Sequence, residues 1–383
     1  MQRVILISSL LVVLFSCDRK AEEHEIATTF SKNIKIESIE LEQVLLPDFE
    51  TSFMGAFEIY DGSIHFIDKE FGKIFQFNSE GELVNQFLGR GDGPHEINTS
   101  IDGFLTLKDG NHLFLGSSFD LHLYKRENYE RLKNYFLSWE GEQDVSKVRS
   151  SSTPDVNQFA LYTLDYQNLR LREGRKGNIY IPIYGETQYF NGLNSDLYYE
   201  EGRILALLDL ESGKVKEVLG KRSRRYLDEK YLPHHASFSY DLDNDNSFYI
   251  SYEIDSLIYK YDQDFELIVA FGVAGSNMNT DYTAIKEFNP KLFKELYFNE
   301  RPTLGWYSYV EFIDELDLLF RSYTKGEHAD SDGLQIFENQ TLIADLKTPK
   351  GFNVKGYIKP FVYGEVVAEN SEELKLYRFE LNK

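Results

Sequence analysis

One cysteine, Cys17, stands in a chain of 383 residues. No intramolecular disulfide can form, and no cysteine cluster can hold zinc. Positive charge is also short: 41 Lys and Arg face 63 Asp and Glu, a formal net charge of −22, which excludes nucleic acid as a partner because little is left to offset a phosphate backbone. Such a surface is soluble and self-repelling, and a monomer is expected. A Gly-x-Ser-x-Gly nucleophile elbow is absent, which removes the commonest hydrolase signature. Metal-ligating histidine spacing is absent too: His234 and His235 are adjacent and would point to opposite faces of a strand, while His65, His112, His122 and His328 stand singly. The acidic run "DLDNDN" from Asp241 has Asn246 and Tyr252 where a calcium loop of the EF-hand type needs glycine and glutamate. It reads as a strand connection, and no cofactor is expected.

Long apolar runs are missing as well. The stretch from Val4 to Phe15 is too short for an ordinary membrane span, which takes about 20 residues. With Arg3 before it and Ser16-Cys17 after it, this stretch has the shape of a secretory signal peptide. Leu14-Phe15-Ser16-Cys17 resembles a bacterial lipobox, with Phe15 a mild departure from the usual pattern. The resemblance implies that residues 1–16 are removed and that Cys17 becomes a lipidated N-terminus. Residues 17–32 then read as a flexible tether. Lys20-Ala21-Glu22-Glu23 is similar to acidic export signals of Bacteroidetes lipoproteins, so the expected location is the cell envelope: outer membrane, on its periplasmic face or at the cell surface, with the lipid as the only membrane contact.

What the chain has in excess is aromatic residues, 26 Tyr and 29 Phe against 3 Met. That balance favours strands over helices. After Lys32 the sequence resolves into short alternating runs broken by Gly, Asp and Asn. They recur in fours. One unit reads "FMGAFEIY", "SIHFID", "KIFQFN", "ELVNQFLG"; a second "IDGFLTLK", "HLFLGS", "LHLYKR", "LKNYFLS"; a third "YQNLRLRE", "NIYIPIYG", "RILALLDL", "KVKEVLG". The fourth and fifth run from "ASFSYDLD" to "ELIVAFG" and from "YSYVEFI" to "QTLIADLK". The last, from "VKGYIKPFVYG" to "LKLYRFEL", is one strand short, whereas residues 33–46 form a strand without a unit. A closed ring solves both problems, because the N-terminal strand can supply the missing outer strand and no edge is left exposed.

The expected fold is therefore all-β, a six-bladed propeller of four-stranded blades closed by the N-terminal strand, with residues 33–383 as one domain. The runs "GKIFQFNSEGELVNQFLGRGDGP", "DSLIYKYDQDFELIVAFG" and "GLQIFENQTLIADL" resemble those of TolB-like six-bladed propeller lipoproteins of the Bacteroidetes, over nearly the whole mature chain. That resemblance implies the fold and says little about activity.

Loop lengths carry the functional expectation. In a propeller blade the second-to-third and outer-to-next-blade links share one face. There the links are long: from 141, from 185, from 221 and from 273 to 305, the last containing "DYTAIKEF" and "KLFKELYF" as two short helices divided by Asn289-Pro290. Opposite lie "DG" and "SEG" turns. Binding is usually built on such elaborations, so the loop-rich face is the candidate.

Arg222, Arg224 and Arg225 beside Lys221, with Tyr226, Tyr231, His234 and His235 nearby, have the chemistry to hold a carboxylate or phosphate or to stack a sugar. Internal pairing with Asp228 and Glu229 is the competing expectation. Tyr189, Phe190, Tyr198 and Tyr199 with Asn191 and Asn194 suit a carbohydrate or peptide, or a loop packed on itself. Arg90, in "FLGRGDGPHEI", lies in a Gly-Pro link between units rather than a phosphate loop, since it leads into a strand and not a helix. The leading expectation is a binding or scaffold module without chemistry of its own, taking a protein, peptide or carbohydrate. The alternative is a metal-dependent hydrolase or lactonase-like enzyme with calcium in its channel.

Overall fold

The protein is described by a computed structural model covering residues 27–381 except 140, 142, 167–168, 286, 288 and 368–372. The expected signal peptide, Cys17 and most of the expected tether lie outside the described residues. Those described form an all-β propeller with a few short helices. Their strands make six sheets, each built around consecutive antiparallel strands, to which Thr28–Thr29, Glu42–Val44 and Ser138–Trp139 add from earlier in the chain. The innermost strands are Gly55–Tyr60, Ile101–Thr106, Phe238–Leu242, Tyr307–Ile313 and Phe352–Ile358, and the third sheet has a broken one, Tyr162–Leu164 plus Arg172–Glu173.

Burial follows position in the sheet. Second strands such as His112–Gly116, Phe248–Tyr252 and Leu318–Tyr323 are buried at every residue, because sheets pack on both of their faces. That explains their near-continuous apolar sequence. Outer strands such as Leu83–Leu88 are largely exposed and correspondingly mixed. Between sheets the core is aromatic: Phe49 packs on Phe75 and Phe77 at centroid distances of 4.5 and 5.3 Å, contacts that add to area burial by up to about 1.5 kcal/mol each.

The N-terminal segment departs from expectation in its course. Glu42–Val44 alone, rather than all of 33–46, pairs antiparallel with the last strand, Leu376–Glu380. Before that the backbone of Asn33, Lys35 and Ile36 bonds to Leu342 and Ile343 of the fifth sheet. Earlier still, Thr28–Thr29 pairs parallel with the outer strand of the fourth sheet. The segment is thus a strap across three outer edges, each supplying free backbone groups.

Two further expectations are corrected. The sheets are not uniformly four-stranded: the third has seven strands and the fourth five. In the third sheet the described part of the strand read over 166–173 pairs only at Arg172–Glu173, while Tyr162–Leu164 takes the other half of the long strand Asn178–Thr187. Helices also occur in more than one insertion, at Val145–Ser150, Asp196–Glu200, Arg225–Asp228 and Pro290–Glu295. The described part of 281–288 is not helical; its Ile285 N–H bonds the Tyr231 carbonyl at 2.8 Å, tying two insertions together.

Candidate functional site: the channel mouth

Because the strands alternate, each innermost strand starts, and each second strand ends, at one face. The long connections between Phe136 and Tyr162, Thr187 and Leu205, Leu219 and Phe238, and Phe271 and Tyr307 all lie there. On the same face a cavity of about 380 Å³ opens into the ring. Its wall draws on the innermost strand or adjoining loop of all six sheets: Glu58, Asp102, Arg170, Ser239, Tyr309 and Lys355 are one from each.

Three of those inner strands carry a β-bulge at this level. Register slips between Ile101 and Gly103, between Tyr307 and Tyr309, and between Val354 and Gly356. The extra residues are Asp102, Ser308 and Lys355, and all three line the cavity. Bulges re-aim side chains and concentrate beside functional sites. Gly356, at φ 147°, makes the last possible, since a Cβ there would lie 2.7 Å from the Cβ of Ile59.

Below the mouth the channel is crossed by an ionic waist. Arg172 Nε donates to Asp241 at 2.5 Å, and Arg170 bonds Glu311 and lies 3.5 Å from Asp241. Arg170 also donates to the carbonyls of Tyr240, at 3.1 Å, and Val310, and stacks 4.6 Å above the Tyr309 ring. Beside it Lys355 pairs with Glu365 at 3.2 Å, and Glu365 accepts from the Phe57 N–H at 2.9 Å. Burial pushes the Asp241 and Glu311 carboxyls up, with Arg170 opposing it. The contacts are those of ion pairs, and the groups act as two cations facing two anions.

Nearer the opening the charges are not consumed. Burial pulls the Lys69 amine below the usual lysine value and pushes the Asp102 carboxyl up, and each opposes the shift of the other. Among the described residues neither side chain has a hydrogen-bond or ion-pair partner. Tyr166, 40 % exposed, forms part of the rim.

The residues singled out from sequence lie elsewhere on this face and divide into two sets. Arg222, Tyr198 and Tyr226 are buried at 8 %, 4 % and 0 % exposure and are spent internally: the Arg222 guanidinium stacks 3.8 Å over the Tyr198 ring, and the Tyr226 hydroxyl donates to the His235 carbonyl at 2.5 Å. They hold the insertions together and do not present a ligand surface. Arg225 pairs with Glu229, as the internal-pairing expectation had it, and Arg224 is exposed. Tyr189, 43 % exposed, lines a shallow groove with Gln188, Asn194 and Asp196. Arg90 donates to the Glu70 carbonyl at 2.9 Å, inside a link braced by the Gly93 N–H on Glu96 at 2.8 Å. The structure does not gather these residues into one site.

The mouth residues Lys69, Asp102, Ser308 and Lys355 were not singled out from sequence. A signal existed at two of them: Asp102-Gly103 and Lys355-Gly356 each put a charge and then a glycine inside an inner strand, which is how a bulge reads. Asp241 sits next to the turn expected at "DLDNDN"; Asp243 closes that turn by accepting from the Ser247 N–H at 2.8 Å, while Asp241 faces the waist. Among the described residues no group of three or more His, Cys, Asp or Glu is placed to hold a metal ion, and no helix is long and apolar enough to cross a membrane.

No family model matches the chain, and no curated protein matches it in sequence. Solved structures match in fold. A member of the DUF4221 family from Bacteroides vulgatus superposes with a TM-score of 0.62 at 13 % identity, covering 90 % of this chain and 98 % of its own. A Bacteroides fragilis protein provisionally described as exported superposes with a TM-score of 0.52 at 11 % identity, covering 94 % of this chain and 100 % of its own.

Proposed function

We propose that the protein is a six-bladed, TolB-like propeller that serves the cell envelope as a binding module, held by lipid on Cys17 and seating a small polar ligand in its channel mouth. The observation that carries the seat is the set of three inner-strand bulges, which turn Asp102, Ser308 and Lys355 into one cavity on the loop-rich face. Regular ladders would have been the lower-energy choice at three separate positions, and departure from them at one level of one cavity is the pattern of a built site. The long insertions lie on the same face and offer Tyr189 and Arg224, both exposed, as outer contacts for a larger protein, peptide or glycan carrying the ligand. The metal-dependent hydrolase fits less well, because Asp241, Glu311 and Glu365 are held by Arg170, Arg172 and Lys355 and would have to give up those partners to gather a cation.

Two measurements test this. Mature protein incubated with extract of its own envelope should retain a small molecule in native mass spectrometry, and Ser308→Trp, which fills the mouth, should lose it while keeping the wild-type melting temperature within a few degrees. Retention unchanged by Ser308→Trp in a folded protein would remove the mouth as the seat. For the anchor, Cys17→Ser should abolish labelling by a palmitate analogue in a lipoprotein-processing host. Persistent labelling would rule out lipid on this residue.

A further inference from the structure

The mouth holds opposite charges that do not touch. Lys69 ends the second strand region of the first sheet, its N–H on the Met54 carbonyl at 2.8 Å and its own carbonyl accepting from Ile101 at 3.0 Å. Asp102 is the next residue along that second sheet, thrown out of register by its bulge. Both line the cavity and each feels the field of the other, yet no ion pair joins them among the described residues. Two partly desolvated opposite charges left apart cost free energy that a direct pair would recover. A ligand that brings its own pair of charges recovers it.

The rest of the wall is polar in a particular way. Asn353 lines the same cavity, and its buried Oδ1 has no hydrogen-bond partner. A side-chain amide in either orientation is the complement of a peptide group. Ser239 and Ser308 border it, and Phe238, Leu169 and Ile67 supply an apolar wall. A volume of about 380 Å³ is at the lower end of small-molecule sites, which run about 300–1,000 Å³. Arg170 and Lys355 of the ionic waist also line the cavity.

Building on the channel mouth as the seat, we infer that its ligand is a zwitterionic short peptide of dipeptide size, with its carboxylate on Lys69, its ammonium on Asp102 and its peptide group on Asn353. Charge-assisted contacts at both ends give the site a length requirement as well as a charge requirement. A neutral sugar would leave both charges unanswered, and a simple anion would answer one.

The experiment is calorimetric titration of the mature protein with alanyl-alanine, N-acetyl-alanyl-alanine, alanyl-alaninamide and maltose. Free dipeptide should bind, and each end-blocked form should bind about tenfold or more weakly. Lys69→Met should erase the difference between the free and amidated C-terminus and leave the N-acetyl penalty; Asp102→Asn should do the reverse. Equal binding of the three peptides, binding of maltose in preference to them, or no peptide binding at millimolar concentration each overturns the inference. If Ser308→Trp still abolishes retention of the envelope molecule while the peptides fail, the mouth stands as the site and the peptide class falls; if both fail, both fall.

Discussion

Arg170→Met is expected to cost the fold about 3–5 kcal/mol, read as a lower denaturant midpoint with little change in slope. The loss does not come from the side chain's apolar contacts, which methionine largely keeps. It comes from what is left behind. Arg170, from the third sheet, bonds the Tyr240 carbonyl and lies against Asp241 of the fourth, and bonds the Val310 carbonyl and Glu311 of the fifth. Without it Asp241 retains Arg172 at 2.5 Å, but Glu311 is left with Arg172 at 3.8 Å. A buried carboxylate short of a partner is the costly outcome of breaking a buried pair. Arg170→Met with Glu311→Gln should therefore be more stable than Arg170→Met alone, a non-additivity on the order of 1–3 kcal/mol. If the double variant is no better than the single, the waist is held by shape and not by charge. Arg170→Lys should rescue poorly, since one ammonium cannot reach two carbonyls and two carboxylates on different strands.

The propeller was legible because its sheets repeat a pattern that local sequence writes plainly. Second strands such as "SIHFID" and "LDLLFRSY" are apolar on both faces, and turns such as Asp61-Gly62 fall at fixed intervals between them. The loop-rich face was legible too, since loop length is visible without coordinates. The site was not. Lys69, Asp102, Asn353 and Lys355 are spread over almost 300 residues and meet only because the ring brings the starts of its inner strands together. Conversely the run from Lys221 to Arg225 stood out in an acidic chain, yet Arg222 is there to stack on Tyr198 and lock two insertions. Local charge contrast finds unusual residues; it does not separate a guanidinium serving packing from one serving a ligand. Bulges are the intermediate case, and Asp102-Gly103 and Lys355-Gly356 show that a charge followed by glycine inside a strand is worth reading as one.

Acid should unfold this protein earlier than its surface charge alone would dictate, through histidines buried neutral. His65 and His112, each 2 % exposed, lie in an aromatic column where Tyr60 stacks on His65 at 3.7 Å and Tyr129 on His112 at 4.4 Å. Burial pulls their pKa values down to about 3 and about 4. His234 and His235, buried among the insertions, fall to about 4 and about 2 for the same first reason. Each folded-state value lies below the unfolded value of about 6.5, so the unfolded chain takes up the protons. The contribution is intact above pH 6.5 and is lost as pH falls below it, by about 1.4 kcal/mol per unit for each histidine. At pH 5 the four together remove about 8 kcal/mol, comparable with the whole stability of a typical domain. Carboxyls raised by burial, Asp102, Asp241 and Glu311 among them, act in the opposite direction over the same range, so the histidine share is isolated by difference. Asp61, Asp109 and Arg126 beside His65 and His112 are common to both proteins compared. His65→Gln with His112→Gln loses ring stacking at every pH, but it also loses the two proton-uptake sites. Its deficit relative to wild type should therefore shrink by about 4 kcal/mol between pH 7 and pH 5. A deficit that stays constant across that range would mean that these imidazoles are already protonated in the folded protein or can reach water, and the aromatic column would then be no obstacle to acid.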